Sequence, residues 1–156
     1  MKTHFAYTIF LFFSLFAFSQ TNFDLEKSKV KWTGKKITNA SHWGHINFTK
    51  ANITFDGDVI SKGNFIVDMT SISVDDISGG GKNRLESHLK DDDFFSVDKF
   101  NNAELEILKK SEMIDNKYQV DANLTIKGIT NPITFEMTQV EDCLLYTSDA
   151  ADDSQC

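Results

Sequence analysis

The sequence has 156 residues, of which 40% are hydrophobic and 25% are charged, and its formal net charge is −7. This length accommodates one domain with a sizeable core, and the composition excludes a disordered chain. Between residues 20 and 140 the 15 basic and 18 acidic residues are interspersed and leave a net charge of −3, which argues against nucleic acid or an anionic membrane surface as the partner.

The N-terminus has the pattern of a secretory signal peptide over residues 1–19. Lys2 precedes an apolar run at 9–18 that is too short to span a bilayer. Small residues at Ala17 and Ser19 predict cleavage after Ser19. We therefore expect an exported protein, periplasmic or secreted, with no transmembrane segment.

In the mature part of the chain, apolar and polar residues alternate, which predicts strands with one buried face. The first such stretch changes phase, because Ile46 and Phe48 have even numbers whereas Ile53 and Phe55 have odd numbers. A bulge or a tight turn near Thr49 is expected to absorb the extra residue.

One segment has the periodicity of a helix, KNRLESHLKD at 82–91. Leu85, His88 and Leu89 stand there at spacings of three and four, which place them on one face of a helical turn. The Ser-Gly-Gly-Gly stretch at 78–81 precedes the helix as a flexible lead-in. A helix this short is not stable alone, so we expect it to dock on the strands.

The clearest strand patterns follow the helix. Apolar residues alternate at 103–107, at 118–126 and again at 133–137. Between the last two, KGITNP contains Gly128 and the only proline, Pro132, and predicts the turn of a hairpin. Many strands, one short helix and no regular strand–helix alternation indicate an antiparallel sheet curled into a barrel or sandwich.

The periodicity stops at the C-terminal end. Residues 141–156 contain both cysteines, which in an exported chain suggests a disulfide. However, the run CLLYTSDAAD resembles translated sequencing-adapter read-through. We therefore interpret 141–156 as a non-native tail, irregular and with no required disulfide, and place the domain at 20–140.

Histidines provide the main alternative chemistry. His42 and His45 are spaced as H-x-x-H, but residues three apart on a strand point to opposite faces, so they converge only if the chain turns at Gly44. The simpler interpretation is two polar loop histidines at the mouth of a barrel, and no metal ligands are assigned. A metal-assisted hydrolase using these histidines and His88 stays an alternative. Residues 20–140 contain no nucleophile elbow, phosphate-binding glycine loop or reactive cysteine, which favours a binding protein over an enzyme.

The stretch DDDFF raises two separate expectations. Its aspartates at 91–93 lack the spacing of a calcium loop, so we expect solvated surface charge. Phe94 and Phe95 cannot both face water without exposing an apolar patch. At least one of them is therefore expected to turn inward, towards Leu85 and Leu89.

Four stretches resemble the YceI-like family: VKWTGKK at 30–36, HWGHINFTKANITFDG at 42–57, ESHLKDDDFFSVDKFNNAELEI at 86–107 and NLTIKGITNPITFEM at 123–137. They cover nearly all of the mature chain in the family's order. The resemblance implies an all-β, lipocalin-like antiparallel β-barrel with one short helix. Two features depart from the family: Asn101 follows Phe100 where proline is usual, and the last strands are missing, so the barrel is expected to be incomplete.

The resemblance also implies a function. Members of the family are exported, non-enzymatic proteins that hold long polyisoprenoid lipids in an elongated barrel interior. This chain is thus expected to bind a polyisoprenoid or isoprenoid quinone and no other cofactor. The residues expected to line the cavity are apolar and mostly aromatic: Trp32, Phe48, Phe55, Phe65, Val67, Leu85, Leu89, Phe94, Phe95, Val120, Leu124 and Phe135.

Two alternatives to a lipid carrier stay open. One is a structural or interaction barrel whose core is solid, because the eight phenylalanines that follow the signal peptide can pack on each other. The other is the metal-assisted hydrolase. The sequence leaves the oligomeric state open between a monomer and a homodimer.

Overall fold

The computed structural model describes residues 19–20, 23–35, 40–140 and 143–147. They form nine strands, one α-helix and one 3₁₀ turn. The strands are β1 Ser19–Gln20, β2 Lys29–Lys35, β3 Ser41–Asp56, β4 Val59–Asp68, β5 Asn102–Ile107, β6 Ser111–Ile114, β7 Lys117–Ile126, β8 Ile129–Val140 and β9 Cys143–Thr147. The helix α1 spans Gly79–Lys90, and the 3₁₀ turn spans Met69–Ser71. Most of the predicted signal peptide lies outside the described residues.

All strands belong to one antiparallel sheet. Both β1 and β2 pair with β3, which is followed in order by β4, β5, β7, β8 and β9, while β6 pairs with β4 and β7. Within the described residues no pairing joins β9 to β2, so the barrel is not closed there. The predicted all-β architecture with one short helix is confirmed.

The phase change of the first long strand is absorbed by a bulge. The register of β3 with β4 shifts between Phe48 and Lys50, so Thr49 is the extra residue. As a result Ile46 and Ile53, which have opposite parity in sequence, are both buried. The predicted bulge is confirmed, and β3 continues through it as one strand.

The predicted hairpin of β7 and β8 is confirmed, with a tighter turn than KGITNP suggested. Lys127 and Gly128 alone form the turn, with φ of 52° and 72°, the two left-handed residues of a type I′ turn. Pro132 lies within β8, opposite Asn123. Counting bonded and non-bonded pairs from the turn places Pro132 at a non-bonded position, where its missing N–H does not break the ladder with β7.

The expectation of an irregular tail is wrong for Cys143–Thr147. These residues form β9, which pairs antiparallel with β8 from Val140 opposite Cys143 to Glu136 opposite Thr147. The physical reason is that an edge strand offers unpaired N–H and C=O groups, and the CLLYT segment is rich in residues that suit a strand. The non-native origin of 141–156 stays a prediction, and 148–156 lies outside the described residues.

The helix begins earlier than predicted, at Gly79, so the glycines form its first turn and not a flexible lead-in. Leu89 is buried and Leu85 is half-buried, as expected for the docked face. His88 is exposed, so its predicted place on that face is wrong. Successive helical residues are about 100° apart around the axis, which turns His88 away from Leu89.

Residues 71–76, here called the strap, run beside the first half of β3 where β4 no longer pairs with it. Two strap amides donate to strand carbonyls at 2.9 Å: Ser73 to His45 and Asp75 to Trp43. Three strand amides donate in return to strap side chains: Asn47 to Ser71 Oγ at 2.9 Å, His45 to Ser73 Oγ at 3.2 Å and Trp43 to Asp76 Oδ1 at 3.1 Å. The strap therefore satisfies the strand's backbone groups as a neighbouring strand would.

Trp32 binds the strap across the space left by the missing side chain of Gly44. The two residues are opposite each other in the β2–β3 register, and Trp32 Nε1 donates to the Ser73 carbonyl at 2.9 Å. A Cβ on Gly44 would lie 1.8 Å from that carbonyl oxygen and 3.0 Å from the indole nitrogen. A residue without a side chain is therefore required at this position.

Two histidine–aspartate pairs add to this attachment. His42 Nδ1 lies 2.8 Å from Asp76 Oδ2, and His45 Nδ1 lies 2.5 Å from Asp75 Oδ2. Burial raises the pKa of each carboxyl and is the largest single effect. The hydrogen bonds from the histidines, together with those from Ser73 to Asp75 and from the Trp43 amide to Asp76, outweigh it, so both pKa values lie below the ordinary one. Both histidines belong to β3, so their predicted loop position is wrong.

Replacing Gly44 by alanine is expected to lower the free energy of unfolding by about 2–4 kcal/mol, since the new methyl group overlaps the Ser73 carbonyl and displaces Trp32. Urea denaturation measures the change. Gly34→Ala is the matched control, because a Cβ there would lie 3.5 Å from the Trp32 ring, an ordinary contact. Equal losses of stability in the two variants would contradict the role given to Gly44.

The aspartates of the strap predict a loss of stability in acid. A carboxyl whose pKa is lowered by folding stabilises the fold above its unfolded pKa, and this stabilisation disappears as the pH falls through the folded value. We therefore expect the free energy of unfolding to decrease as the pH drops below 3.8, which is the ordinary pKa of the Asp75 and Asp76 carboxyls. Asp75→Asn/Asp76→Asn should be less stable at neutral pH and should lose less in acid.

The control for this experiment is Asp98→Asn, which changes an exposed carboxylate of the loop after α1. Its denaturation profile against pH should match that of the wild type. If the double variant and the wild type lose the same free energy on acidification, the two strap carboxylates do not contribute to acid sensitivity.

Candidate functional site

The inner face of the sheet, which carries the core, contains a row of apolar side chains that crosses four strands. Directly paired residues of neighbouring strands share a face. The register aligns the row across β3, β4, β5 and β7: Ala51, Phe65, Leu105 and Leu124. Phe48 lies on the same face, opposite Val67.

Two groups of buried side chains fill the ends of this face. The hairpin cluster lies at the end where β7 begins and consists of Ile53, Ile60, Ile107, Tyr118, Val120, Ala122, Phe135 and Met137. The helix cluster lies at the other end, beneath the strap and α1, and consists of Ile46, Met69, Ile72, Val74, Leu89, Val97 and Ala103. Both ends are therefore packed by the protein's own side chains.

Between the clusters lies a set of half-buried residues, here called the central band: Phe23, Phe48, Phe65, Leu105 and Leu124. The three rings pack together, with centroids 5.4 Å apart for Phe23 and Phe48, 6.0 Å for Phe23 and Phe65, and 6.3 Å for Phe48 and Phe65. Aromatic side chains in such arrangements form stable apolar surfaces. A contiguous apolar surface that is partly open is suited to an apolar ligand.

The twelve predicted lining residues occupy four places. Three lie in the central band: Phe48, Phe65 and Leu124. Three others lie in or against the hairpin cluster, against which Phe65 also packs: Phe55, Val120 and Phe135. Five lie in or against the helix cluster: Trp32, Val67, Leu85, Leu89 and Phe95. Phe94 lies at the surface, so the structure does not bring the twelve together on one lining.

Of the two consecutive aromatics, Phe95 turns inward and Phe94 stays exposed, with ring centroids 5.0 Å apart. The prediction that at least one turns inward is confirmed. The neighbouring aspartates at 91–93 are exposed as expected. A hydrogen bond from Lys99 Nζ at 2.7 Å lowers the pKa of Asp92.

The prediction of lining residues missed two members of the central band, Phe23 and Leu105. Leu105 follows the alternation at 103–107, so a signal for its inward orientation existed in the sequence. Phe23 precedes β2 and belongs to no strand. No periodicity marks it, and only its ring contacts in the folded chain reveal its place.

The hairpin cluster beside the band contains one titratable side chain, Tyr118, which is buried. Burial raises the pKa of Tyr118, and the charge of Asp58 adds to the effect. Its phenol is therefore neutral at ordinary pH. This end of the inner face is therefore packed without a buried charge.

The histidines do not converge. His42 and His45 face different carboxylates, and the ring of His88 lies on α1 with its centroid 5.8 Å from that of Phe94. Among the residues that the structure describes, no three His, Cys, Asp or Glu side chains are grouped so that they could hold a metal ion. The same part of the chain contains no helix that is long and apolar enough to cross a membrane.

Comparisons with known proteins agree with this architecture. The chain is similar to BcnA of Burkholderia cenocepacia, with a TM-score of 0.64 and 24% identity over 78% of this chain and 74% of that one. It is also similar to the YCEI protein of Campylobacter jejuni, with a TM-score of 0.53 and 24% identity over 76% and 67% of the two chains. These likenesses support the fold. No curated protein matches the chain.

The family model described as the YceI-like domain matches residues 22–152. The match contains the central band and both clusters, and it extends past residue 140 to include β9. It spans most of the chain, and the solved structures share the same sheet. The chain therefore belongs to the YceI-like family.

Proposed function

We propose that this protein is an exported carrier that holds a long apolar lipid, a polyisoprenoid or an isoprenoid quinone, against the central band. The main observation that supports this proposal is that Phe48, Phe65 and Leu124 are only half-buried, whereas the clusters on either side are packed. Membership of the YceI-like family, known for polyisoprenoid binding, supports the same ligand class.

The dimensions of the central band suit a chain-like ligand. The apolar row that contains three of its residues crosses four strands from Ala51 to Leu124. This is a distance of about 15 Å at the usual strand spacing. Burial of each CH₂ group of a lipid contributes roughly 0.8 kcal/mol, from which the cost of ordering the chain is subtracted. Rings such as Phe48 and Phe65 leave irregular gaps that a branched chain fills.

Export is part of this proposal. It rests on the signal-peptide pattern at residues 1–19, with cleavage after Ser19. The protein is proposed to act in the periplasm or after secretion by binding alone, without catalysis. This agrees with the absence of catalytic templates from the sequence between residues 20 and 140.

The competing candidate is an interaction domain with a solid core. The observation that favours it is the dense packing of the hairpin cluster, where Val120 and Ala122 are fully buried. The two candidates differ at the central band. A carrier needs its open apolar surface for a ligand, whereas in a solid-core domain the band contributes only to packing.

Phe48→Ala/Phe65→Ala is expected to weaken uptake of polyprenol by about tenfold or more, because two rings of the proposed contact surface are lost. Retention of radiolabelled polyprenol through gel filtration measures the uptake. Leu108→Ala, which removes an apolar side chain that is 47% exposed, should leave uptake unchanged. Wild-type protein that neither takes up polyprenol or quinone nor carries lipid in native mass spectrometry would refute the carrier.

Leu124→Trp separates the carrier from the solid-core domain. In an open band the larger side chain has room, so we expect lipid uptake to fall while the free energy of unfolding changes by less than about 1 kcal/mol. Val120→Trp is the matched control within the buried hairpin cluster, where overpacking should cost about 1–3 kcal/mol or more. A similar loss of stability in both variants would favour a solid core.

A further inference from the structure

One end of the molecule carries three exposed large apolar side chains. Phe94 is 46% exposed, Phe100 is 36% exposed and Ile129 is 63% exposed. The two phenylalanines belong to the loop between α1 and β5, whereas Ile129 begins β8 immediately after the hairpin turn. We call these three residues the apolar tip.

Direct contacts join the two loops of the apolar tip. Lys127 Nζ donates to the carbonyl oxygens of Asp92 at 2.8 Å and Phe94 at 3.0 Å. A Cβ on Gly128 would lie 2.8 Å from the Phe100 ring, so this ring rests against the turn. The two segments that carry the three exposed side chains are therefore held against each other at this end of the molecule.

The size of the apolar tip points to the kind of partner. Its three side chains expose roughly 300 Å² in total, since a fully exposed aromatic side chain presents about 200 Å². A specific protein interface usually buries about 800 Å² on each partner. The tip is too small for that, but a few aromatic and aliphatic side chains suffice to enter the interfacial layer of a bilayer.

The charges around the apolar tip narrow the partner further. Four carboxylates and three ammonium groups neighbour the tip residues along the chain: Asp91, Asp92, Asp93, Asp98, Lys90, Lys99 and Lys127. This mixture has a net charge of −1, so it gains nothing from an anionic surface. Zwitterionic headgroups carry both signs and match it better.

We propose that the apolar tip docks this protein on the surface of a zwitterionic lipid bilayer. Phe95 follows Phe94 in its loop, and Ile126 ends β7 just before the hairpin turn. Both pack against the helix cluster, so docking turns that end of the inner face towards the membrane. This inference goes beyond the proposed carrier function, because docking does not require a lipid in the central band.

The test is flotation of the mature protein, which begins at Gln20 after cleavage of the signal peptide, with phosphatidylcholine vesicles. Wild-type protein should float with the vesicles. The affinity of Phe94→Ser/Ile129→Ser for the vesicles should be lower by a factor of about ten or more, because two inserting side chains are lost. Ile114→Ser is the matched control, since Ile114 is 71% exposed but lies at the opposite end of β7. Ile114→Ser should bind like the wild type, and equal melting temperatures would show that all variants are folded.

Vesicle composition supplies the second arm of the test. Mixing phosphatidylglycerol into the vesicles should weaken or not change binding, and stronger binding to these anionic vesicles would overturn the zwitterionic assignment. Equal loss in the Ile114 variant would overturn the assignment to the tip. If wild-type protein does not bind any of these vesicles, docking on a bilayer is refuted, whatever polyprenol uptake shows about the central band.

Discussion

The absence of a side chain at Gly44 decides how the rest of the molecule attaches to the sheet. At this point the indole of Trp32 reaches the Ser73 carbonyl, and the strap continues along β3 where β4 has ended. The strap leads directly into α1, and Glu86 of the helix accepts a hydrogen bond from the Val74 amide at 2.9 Å. The helix is thereby placed so that its leucines complete the helix cluster. One close backbone contact thus helps to hold the strap and the helix that fill this end of the inner face.

The distribution of packing along the inner face follows from this arrangement. The strap and α1 cover one end, and the hairpin of β7 and β8 with its neighbours covers the other. Between these ends Phe48, Phe65 and Leu124 are half-buried, with Phe65 packed against the hairpin cluster. This half-buried middle is the part of the inner face to which the proposed ligand binding is assigned.

Periodicity in the sequence predicts which face a side chain occupies but not how deeply it is buried. Val120 and Leu124 alternate in phase on the same strand, yet the first is fully buried and the second is not, because depth depends on which distant segment lies above each residue. The strands, the bulge at Thr49 and the β7–β8 hairpin are local patterns and were predictable. The pairing of β9 depends on a free edge elsewhere in the sheet, and the partners of His42 and His45 depend on the path of the strap. No local pattern contains that information.

Among the residues that the structure describes, β2 and β9 each have one side that pairs with no further strand, and these two edges differ in charge. On β2, Lys29, Lys31 and Lys35 are all exposed, and a row of lysines repels the approach of a second strand. The sequence of β9, CLLYT, carries no charge. If two copies associate through their sheets, they therefore do so through β9. When β9 of one protomer pairs antiparallel with β9 of a second, the β9 edges of both protomers are occupied. Such an association closes as a symmetric dimer and does not extend into a fibre.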